Sequence, residues 1–564
     1  MPLTLPGQTR ANEQKRIDRA LYPMVFLLWG AMAVFVLYPL VRLLFTVFTV
    51  EGAVTLANIA GTFSHWYNRM ALFNSLMLAT AVASAGTFLG FLFAFSVTRI
   101  SLPKAMKWFL GIVVVFPFVS PPFTSSIALT LALGPNGLLL EMLNVADFNI
   151  YGFLGTWISE TLTYFPVAFL TLAAVLGAID PDMEDAAMSM GSSRWRTFLT
   201  ITLPLSVPGM ANAFLLLFGN SLTDFATPLV MAGHKFPVLT TQAYLQITGM
   251  YDLKGGSAIS FVLLVPALLV YLLQHHWVER RSYVTVTGKG GRQSVARGAG
   301  FTAEVLILSV VSLVTLFIIF LYSIIFLGSL VKVWGVDSSF TLENYAYVFT
   351  IGLKAVKDTV LIAVTSTLVG TVVAVSIGYL VSRKELPWRK TLEFVSLLDY
   401  ILPGTVLGIA YVIAFNTGPI VLTGTMTIIV ALCVFRYDAT GIRATVASLQ
   451  QLDPSLEEAS LSLGATRRTT FFRVTLPLIM PAVSAGVRYL FVVSMTAVSA
   501  TIFLVSVRWS LMTVRILECV TELLFAEAAA FSVVLVLIVF AAIGAISLLF
   551  RIAYPDYSRH LRRP

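Results

Sequence analysis

Long apolar runs alternate with short polar, charge-bearing stretches along the whole chain. The runs read as helices rather than strands: they lack period-two alternation and reach the roughly 20 residues a helix needs to cross a hydrocarbon layer. The pattern predicts six spans in the first half, at 24–49, 70–97, 106–133, 151–178, 203–232 and 256–275. Six more follow at 304–332, 357–382, 391–414, 424–447, 476–505 and 528–552. A membrane β-barrel would show weakly alternating segments of about ten residues instead. The expected fold class is an all-α polytopic membrane protein with about 12 transmembrane helices in two parallel six-helix repeats, parallel because each half holds an even number of spans.

Between the fourth and fifth spans of each half lies the same polar pattern. Residues 180–208 read DPDMEDAAMSMGSSRWRTFLTITLPLSVP, and residues 453–481 read DPSLEEASLSLGATRRTTFFRVTLPLIMP. At an offset of 273, Asp180 falls on Asp453, Pro181 on Pro454, Gly191 on Gly464, Leu203-Pro204 on Leu476-Pro477 and Pro208 on Pro481. Asp180 and Asp453 are placed to cap a helix whose first position suits Pro181 and Pro454. Acidic residues in the opening turns (Asp182, Glu184 and Asp185; Glu457 and Glu458) favour the positive end of the helix dipole. Small residues and then a glycine permit a sharp bend and close approach by a partner, after which Leu203-Pro204 and Leu476-Pro477 restart the chain into the next span. Earlier in each half the register is 284: Asn74 matches Asp358, Arg99 matches Arg383, and Leu102-Pro103 matches Leu386-Pro387. The drop from 284 to 273 puts about 11 extra residues in the first half, expected in the loop near 134–151.

Charged residues make up 12% of the chain against 58% apolar residues, which excludes a water-soluble domain. The net charge of +9 reflects where the basic residues sit rather than nucleic-acid binding. With the N-terminus inside, most of the 37 Lys and Arg fall in cytoplasmic segments, including Arg194, Arg196, Arg467, Arg468 and Arg473 of the repeated loops. Both loops and both termini are therefore expected on the cytoplasmic side. The first apolar run is too long for a cleaved signal peptide. The domain reading is a cytoplasmic segment 1–23, a six-helix domain 24–281, a glycine-rich basic linker 282–300, a second six-helix domain 301–555 and a basic tail 556–564. Two cysteines, Cys433 and Cys519, argue against a disulfide framework or a thiolate metal site.

The doubled loop resembles the EAA loop of permease subunits of type I binding-protein-dependent ABC importers. The resemblance spans nearly the whole chain, and segments such as YPLVRLLF at 38–45 are most similar to the ferric iron permease group. It implies that the loops are coupling helices docking into ATPase subunits. That role carries over to Asp185, Ala186, Ala187, Gly191, Leu203 and Pro204, and to Glu458, Ala459, Gly464, Leu476 and Pro477. Asp185, Ser460 and Val474 are mild departures from the usual Glu, Ala and Ile. The phosphate-loop pattern is absent, since GKGGRQS at 288–294 lacks its spacing. The resemblance accordingly implies no catalytic residue, no cofactor bound by this chain, and ATP used by two cytoplasmic ATPase subunits in trans. It also implies a periplasmic substrate-binding protein as partner, residence among the lipids of a bacterial inner membrane, and no nucleic-acid partner. DFATPLVMAG at 224–233 fits permeases for phosphorus compounds equally well. Ferric iron therefore stands beside 2-aminoethylphosphonate, hexose phosphate and thiamine as substrate, and an ion-gradient-driven secondary transporter is the alternative of another class.

Ionisable groups inside spans are costly and usually face a cavity. Here they are Glu160, Asp224, Asp399, Arg436, Asp438, Arg443 and Arg488. Asp224, about 30 Å along a helix from Pro204, is placed near the outer mouth. Asp438 is placed near mid-membrane, and Asp399 with Tyr400 nearer the inside. One reading makes Asp224, Glu160, Asp399, Tyr400 and Asp438 a substrate pathway in which hard oxygen ligands suit a hard cation. The other makes Arg436, Asp438 and Arg443 interhelical ion pairs. Pro121-Pro122 and Pro403 are expected to break the third and ninth spans at corresponding places.

Overall fold

The computed structural model describes residues 21–274 and 300–553, apart from 122, 136, 146–147 and 387. The linker 282–299, the basic tail, Pro122 and Pro387 therefore lie outside the described residues, as does all but the end of the N-terminal segment. The first half contains α1 (Tyr22–Phe48), α2 (Ala57–Ser64), α3 (Trp66–Arg99), α4 (Lys104–Val119), α5 (Thr124–Leu133), α6 (Leu138–Leu143), α7 (Phe153–Ala178), α8 (Pro181–Ser189), α9 (Arg194–Thr223), α10 (Ala226–Met231), α11 (Leu239–Thr248) and α12 (Leu253–Leu273). The second contains α13 (Phe301–Gly328), α14 (Glu343–Phe349), α15 (Leu353–Arg383), α16 (Arg389–Ile401), α17 (Gly404–Phe415), α18 (Met426–Tyr437), α19 (Ala439–Gln451), α20 (Ser455–Ser462), α21 (Arg467–Thr496), α22 (Met512–Thr521) and α23 (Phe525–Ala553). Two short hairpins, Thr49–Val50 with Ala53–Val54 and Val331–Val333 with Asp337–Phe340, follow the first long helix of each half.

Among the described residues, nine of these helices and the stretch Thr124–Leu143, which takes in α5 and α6, are long and apolar enough to span, ten in all, or eleven if α16 and α17, bent by 106° at Leu402-Pro403, form one. The expected runs outside the ten are the ninth and the tenth. The ninth bends at Pro403, and the third, which still counts as a span, divides into α4 and α5 around Pro121, because a proline disfavours helical backbone at the residue before it. The tenth run is split at Asp438 into α18 and α19, whereas its counterpart α7 runs unbroken through Pro166. The extra residues of the first half lie in 134–152, which includes α6, against 416–425 in the second.

Prolines also explain three π-helical turns, at Ala33–Leu37, Phe198–Thr202 and Phe471–Thr475. Each ends two residues before a proline: Pro39, Pro204 and Pro477. The proline has no N–H to give, and its ring would press on the carbonyl four residues back, so the turn widens. The fifth and eleventh spans thus begin at Arg194 and Arg467, nine residues ahead of the expected restart at Leu203 and Leu476, and they end at Thr223 and Thr496.

Helices cross closely where glycine removes a side chain. A Cβ at Gly90 of α3 would lie 2.6 Å from Ala168 Cβ and 2.8 Å from Phe169 N of α7. Gly86 and Gly370, 284 apart, each receive a leucine methyl of the fifth or eleventh span, from Leu217 and Leu490, at 2.4 Å from where a Cβ would stand. Small residues at such crossings let backbones approach in a medium where lipid offers no hydrophobic push.

The first long helix of each half leaves its own half. Leu28, Met32 and Val36 of α1 pack with Ala374, Ile377, Leu392 and Ile442 of the second half. The Tyr411 hydroxyl donates to the Phe35 carbonyl at 2.6 Å. Reciprocally, α13 packs on α5, α4 and α3, and beyond it Trp334 Nε1 donates to the Leu131 carbonyl at 3.0 Å. The two halves are strapped together by exchanged helices.

Candidate functional site

The doubled loop forms the same structure twice. Asp180 Oδ1 accepts from the Asp182 N–H at 3.0 Å, with Pro181 in the first turn of α8. In the second copy Asp453 Oδ1 accepts from the Ser455 N–H at 2.9 Å, and α20 starts at Ser455 rather than at Pro454. Each short helix closes on a glycine of positive φ, +89° at Gly191 and +86° at Gly464. The chain then bonds back, Ser192 N–H to the Ala187 carbonyl at 3.0 Å and Ala465 N–H to the Ser460 carbonyl at 3.2 Å. A left-handed residue of this kind ends a helix at little cost only in glycine. Ser193 and Thr466 then cap the long helices α9 and α21.

One acidic residue per loop is turned inward. Glu184 is buried, its Oε2 3.4 Å from Arg99 of α3 and its Oε1 accepting from the Thr202 hydroxyl at 2.7 Å. Arg99 also donates to the carbonyls of Leu176 and Ile179, at 3.1 and 3.4 Å. In the second half Arg383 lies 3.3 Å from Glu457 Oε1, which accepts from Thr475 at 3.0 Å, and Arg383 donates to the Leu452 carbonyl at 2.9 Å. Phe198 and Phe471, in the π turns, meet Phe95 and Tyr379 edge-on at 5.5 and 5.0 Å. Each loop is thereby fixed to the third and fifteenth helices and to the widened turn of the next span. The matched Arg99 and Arg383 and the paired registers signalled this arrangement in sequence; nothing in the sequence said that they met.

The rest of the loop faces out. Ala186, Gly191, Glu458, Ala459 and Gly464 are exposed, Asp185 and Ala187 half-buried. No atom lies within 4 Å of where a Cβ would stand on Gly191 or Gly464. Leu203 and Leu476 are half-buried in the helices beyond the π turns. Pro204 is exposed and Pro477 half-buried. Four apolar side chains that the motif does not include stand beside them: Met183 and Met190, 49% and 87% exposed, with their counterparts Leu456 and Leu463, 45% and 88% exposed. Both pairs are spaced seven residues apart, two helical turns.

At the other end of the spans, polar groups of α3 and α15 hold the chain leading into α11 and α22. Asn74 Nδ2 donates to the Pro237 carbonyl and Ser75 accepts from Leu239 N–H, both at 2.9 Å. Asp358 accepts from Ser510 N–H at 3.1 Å and Thr359 from Met512 N–H at 2.8 Å.

Of the intramembrane charges, Glu160 and Asp224 are brought together and Arg436 lies near Asp399. Asp224 follows the last residue of α9 and is buried, its Oδ1 accepting from the N–H groups of Ala226 and Thr227 at 3.0 and 3.3 Å. Glu160 of α7 is fully buried and accepts from the Ser221 hydroxyl. Asp399 is fully buried and its neighbour Tyr400 is exposed. The expected ion pairs of Arg436 and Arg443 with Asp438 do not form. Arg436 donates to the carbonyls of Asp399 and Leu402, at 3.3 and 2.6 Å, while Arg443 is exposed. The bend at Pro403 frees the carbonyls that draw Arg436 away from Asp438. Arg488 donates to Ser547 and Ser484. Among the described residues no three His, Cys, Asp or Glu side chains cluster to hold a metal ion.

Two stretches of the chain, 86–283 and 370–559, match the family described as binding-protein-dependent transport system inner membrane component. The chain belongs to this family. Its matched stretches take in both loops and the spans around them. Relatives within reach of full length include the ferric transport system permease protein FbpB of Actinobacillus pleuropneumoniae, 36% identical over 90% of this chain and 75% of that protein. A putative ferric transport system permease protein of Haemophilus influenzae is 36% identical over 84% of this chain and 76% of that protein. A solved bacterial alginate ABC importer chain overlays with a TM-score of 0.41 at 19% identity, covering 47% of this chain and 97% of that one. The protein is thus a multi-pass permease subunit of a binding-protein-dependent transport system.

Proposed function

We propose that this permease imports ferric iron delivered by a periplasmic binding protein, driven by two cytoplasmic ATPase subunits that dock on the doubled loop. The identity of 36% with the ferric permease of A. pleuropneumoniae, over 524 residues, carries the substrate reading. Docking rests on geometry. The outer faces of α8 and α20 match in position, with Met183, Met190, Leu456 and Leu463 offering apolar contacts and Gly191 and Gly464 leaving room for a partner's backbone.

In this reading ATP binding draws the two ATPases together and each loop moves with them. The Arg99–Glu184 and Arg383–Glu457 contacts pass that motion to α3 and α15, and the continuous helices α9 and α21 pass it across the membrane. The loops and both termini lie on the cytoplasmic side. This chain binds no nucleotide and carries no catalytic residue.

Uptake of radiolabelled ferric iron is measured in iron-limited cells with and without the gene. Uptake should fall without it, recover with the wild-type gene, and stay low with a Gly191→Val/Gly464→Val variant. Unchanged uptake on deletion would remove iron as substrate and direct the test to phosphonate, hexose phosphate and thiamine.

A further inference from the structure

The crossing of α7, α9 and short α10 has a counterpart in the second half that lacks acids at the matching positions. Glu160, Asp224 and Thr227 of the first half correspond, at the offset of 273, to Cys433, Ala497 and Ala500. Ser221 and Tyr164 keep their identities as Ser494 and Tyr437. Shared scaffolding survives as well: Thr240 donates to the Asp224 carbonyl at 2.7 Å, and Thr513 to the Ala497 carbonyl at 2.7 Å. The second half keeps the crossing with no acid at these three positions, its own buried acid Asp438 standing where the first half has Phe165, so the fold does not require Glu160 and Asp224 at theirs.

The acidic groups converge. Ser221 donates its hydroxyl to Glu160 Oε2 and receives at its carbonyl the Asp224 N–H at 3.1 Å, which sets the two carboxyls on either side of one serine. Tyr164 faces both carboxyls, and Thr227 faces Asp224. Glu160 and Thr227 are both 0% exposed. Glu160 Oε1 has no hydrogen-bond partner, and the second oxygen of Asp224 meets only the hydroxyls of Tyr164 and Thr227. No lysine or arginine pairs with either acid among the described ion pairs. Two bare carboxylates here would face the full penalty of burying charge, which proteins avoid by pairing it, coordinating a metal or taking up a proton. Unfilled oxygen atoms of this hard kind suit a hard cation. Asp224 is also next to Phe225, whose ring packs at 4.9 Å on Tyr244 and at 6.5 Å on Phe503 of the second half.

We propose that Glu160 and Asp224, with the oxygens of Tyr164 and Thr227, form a cation-binding station beside the seam between the halves. The cation is either a metal ion or a proton, and the paired carboxyls that would hold it are found in the first half alone at this offset. It rests on the permease reading and not on which substrate is carried.

The test uses the full-length chain in lipid nanodiscs. Equilibrium binding of radiolabelled ferric iron reads the metal arm, and an infrared spectrum of the carboxyl region reads the proton arm. Wild-type protein should show either stoichiometric iron or a protonated-carboxyl band. Glu160→Gln and Asp224→Asn, which keep shape, should weaken iron binding roughly tenfold or more, or remove from the band the part that these two carboxyls contribute. Cys433→Ser, in the other half, should leave the signal intact. Wild-type protein with neither signal overturns the station, and so does a signal of undiminished size in the double variant. A variant that fails to fold does not leave the matter open, because the wild-type measurement decides first. Cells that take up no ferric iron while the purified protein shows the band would sink the iron reading and leave the station standing.

Discussion

Arg99 reaches Glu184 at 3.4 Å, and Arg383 reaches Glu457 at 3.3 Å, in loops that the chain builds twice. In each case the arginine ends the second long helix of its half and the glutamate lies in the loop's short helix. Removing Arg99 would leave Glu184 buried without its cation, a change that costs about 3–5 kcal/mol where such pairs are fully enclosed. Arg99→Ala should lower the unfolding temperature of the purified protein clearly, and Arg99→Ala/Glu184→Ala should recover part of the loss. A double variant no more stable than Arg99→Ala would show that the pair is not coupled.

Gly191→Val and Gly464→Val meet no neighbour, yet they force a branched side chain into left-handed backbone at a cost of roughly 1–2 kcal/mol. Helix content by circular dichroism should stay at the wild-type level while capture of the ATPase subunit on an affinity column falls. Full capture would argue that the bend is not part of the docking surface.

Met190→Asp and Leu463→Asp alter side chains 87% and 88% exposed, so chain stability should move by no more than about 0.5 kcal/mol. Association with the ATPase should weaken, and more in the double variant than in either single one. Equal affinity for wild type and double variant, by titration in detergent, would place the contact elsewhere.

Gly90→Ala should destabilise by about 1–3 kcal/mol, because the added carbon meets the Phe169 backbone at 2.8 Å and helices α3 and α7 must separate. Gly111→Ala, where no atom lies within 4 Å, serves as the control and should be neutral in the same melting assay.

Hydrogen bonds from the Ser455 N–H and hydroxyl hold the Asp453 carboxyl below its ordinary range. A lowered value in the folded state means that the cap supports α20 above the unfolded carboxyl value, near pH 4, and that this support is lost as pH falls below it. Protection of the Ser455 and Leu456 amides from hydrogen exchange, taken relative to the intrinsic rate at each pH, should fall on acidification in wild type and change less in Asp453→Asn, whose cap does not titrate. Identical pH profiles for the two would refute the assignment.

Some of the site was legible before any coordinates. The loop's capping Asp180, the glycines at 191 and 464 and the matched prolines depend on local backbone preferences, and these act wherever the residues stand. The split of the third and ninth runs followed in the same way from Pro121 and Pro403. The break at Asp438 was not legible, because its counterpart in the first half is Phe165 inside an unbroken helix. The ion pairs expected for Arg436 and Arg443 failed because sequence spacing gives no account of the carbonyls that a distant bend releases.

A doubled bundle of membrane helices with one polar loop per half is readable from consecutive residues, since hydrophobic length, charge placement and a repeated motif are local properties. That α1 and α13 pack on the opposite halves, that Glu184 and Glu457 turn inward while Met190 and Leu463 turn out, and that Glu160 and Asp224 share one serine emerges only when the helices are packed. A membrane helix is apolar on nearly every face. Its composition says that it is buried in lipid or protein but not which neighbour it meets, and that choice is made by small residues, bends and buried polar contacts between distant segments.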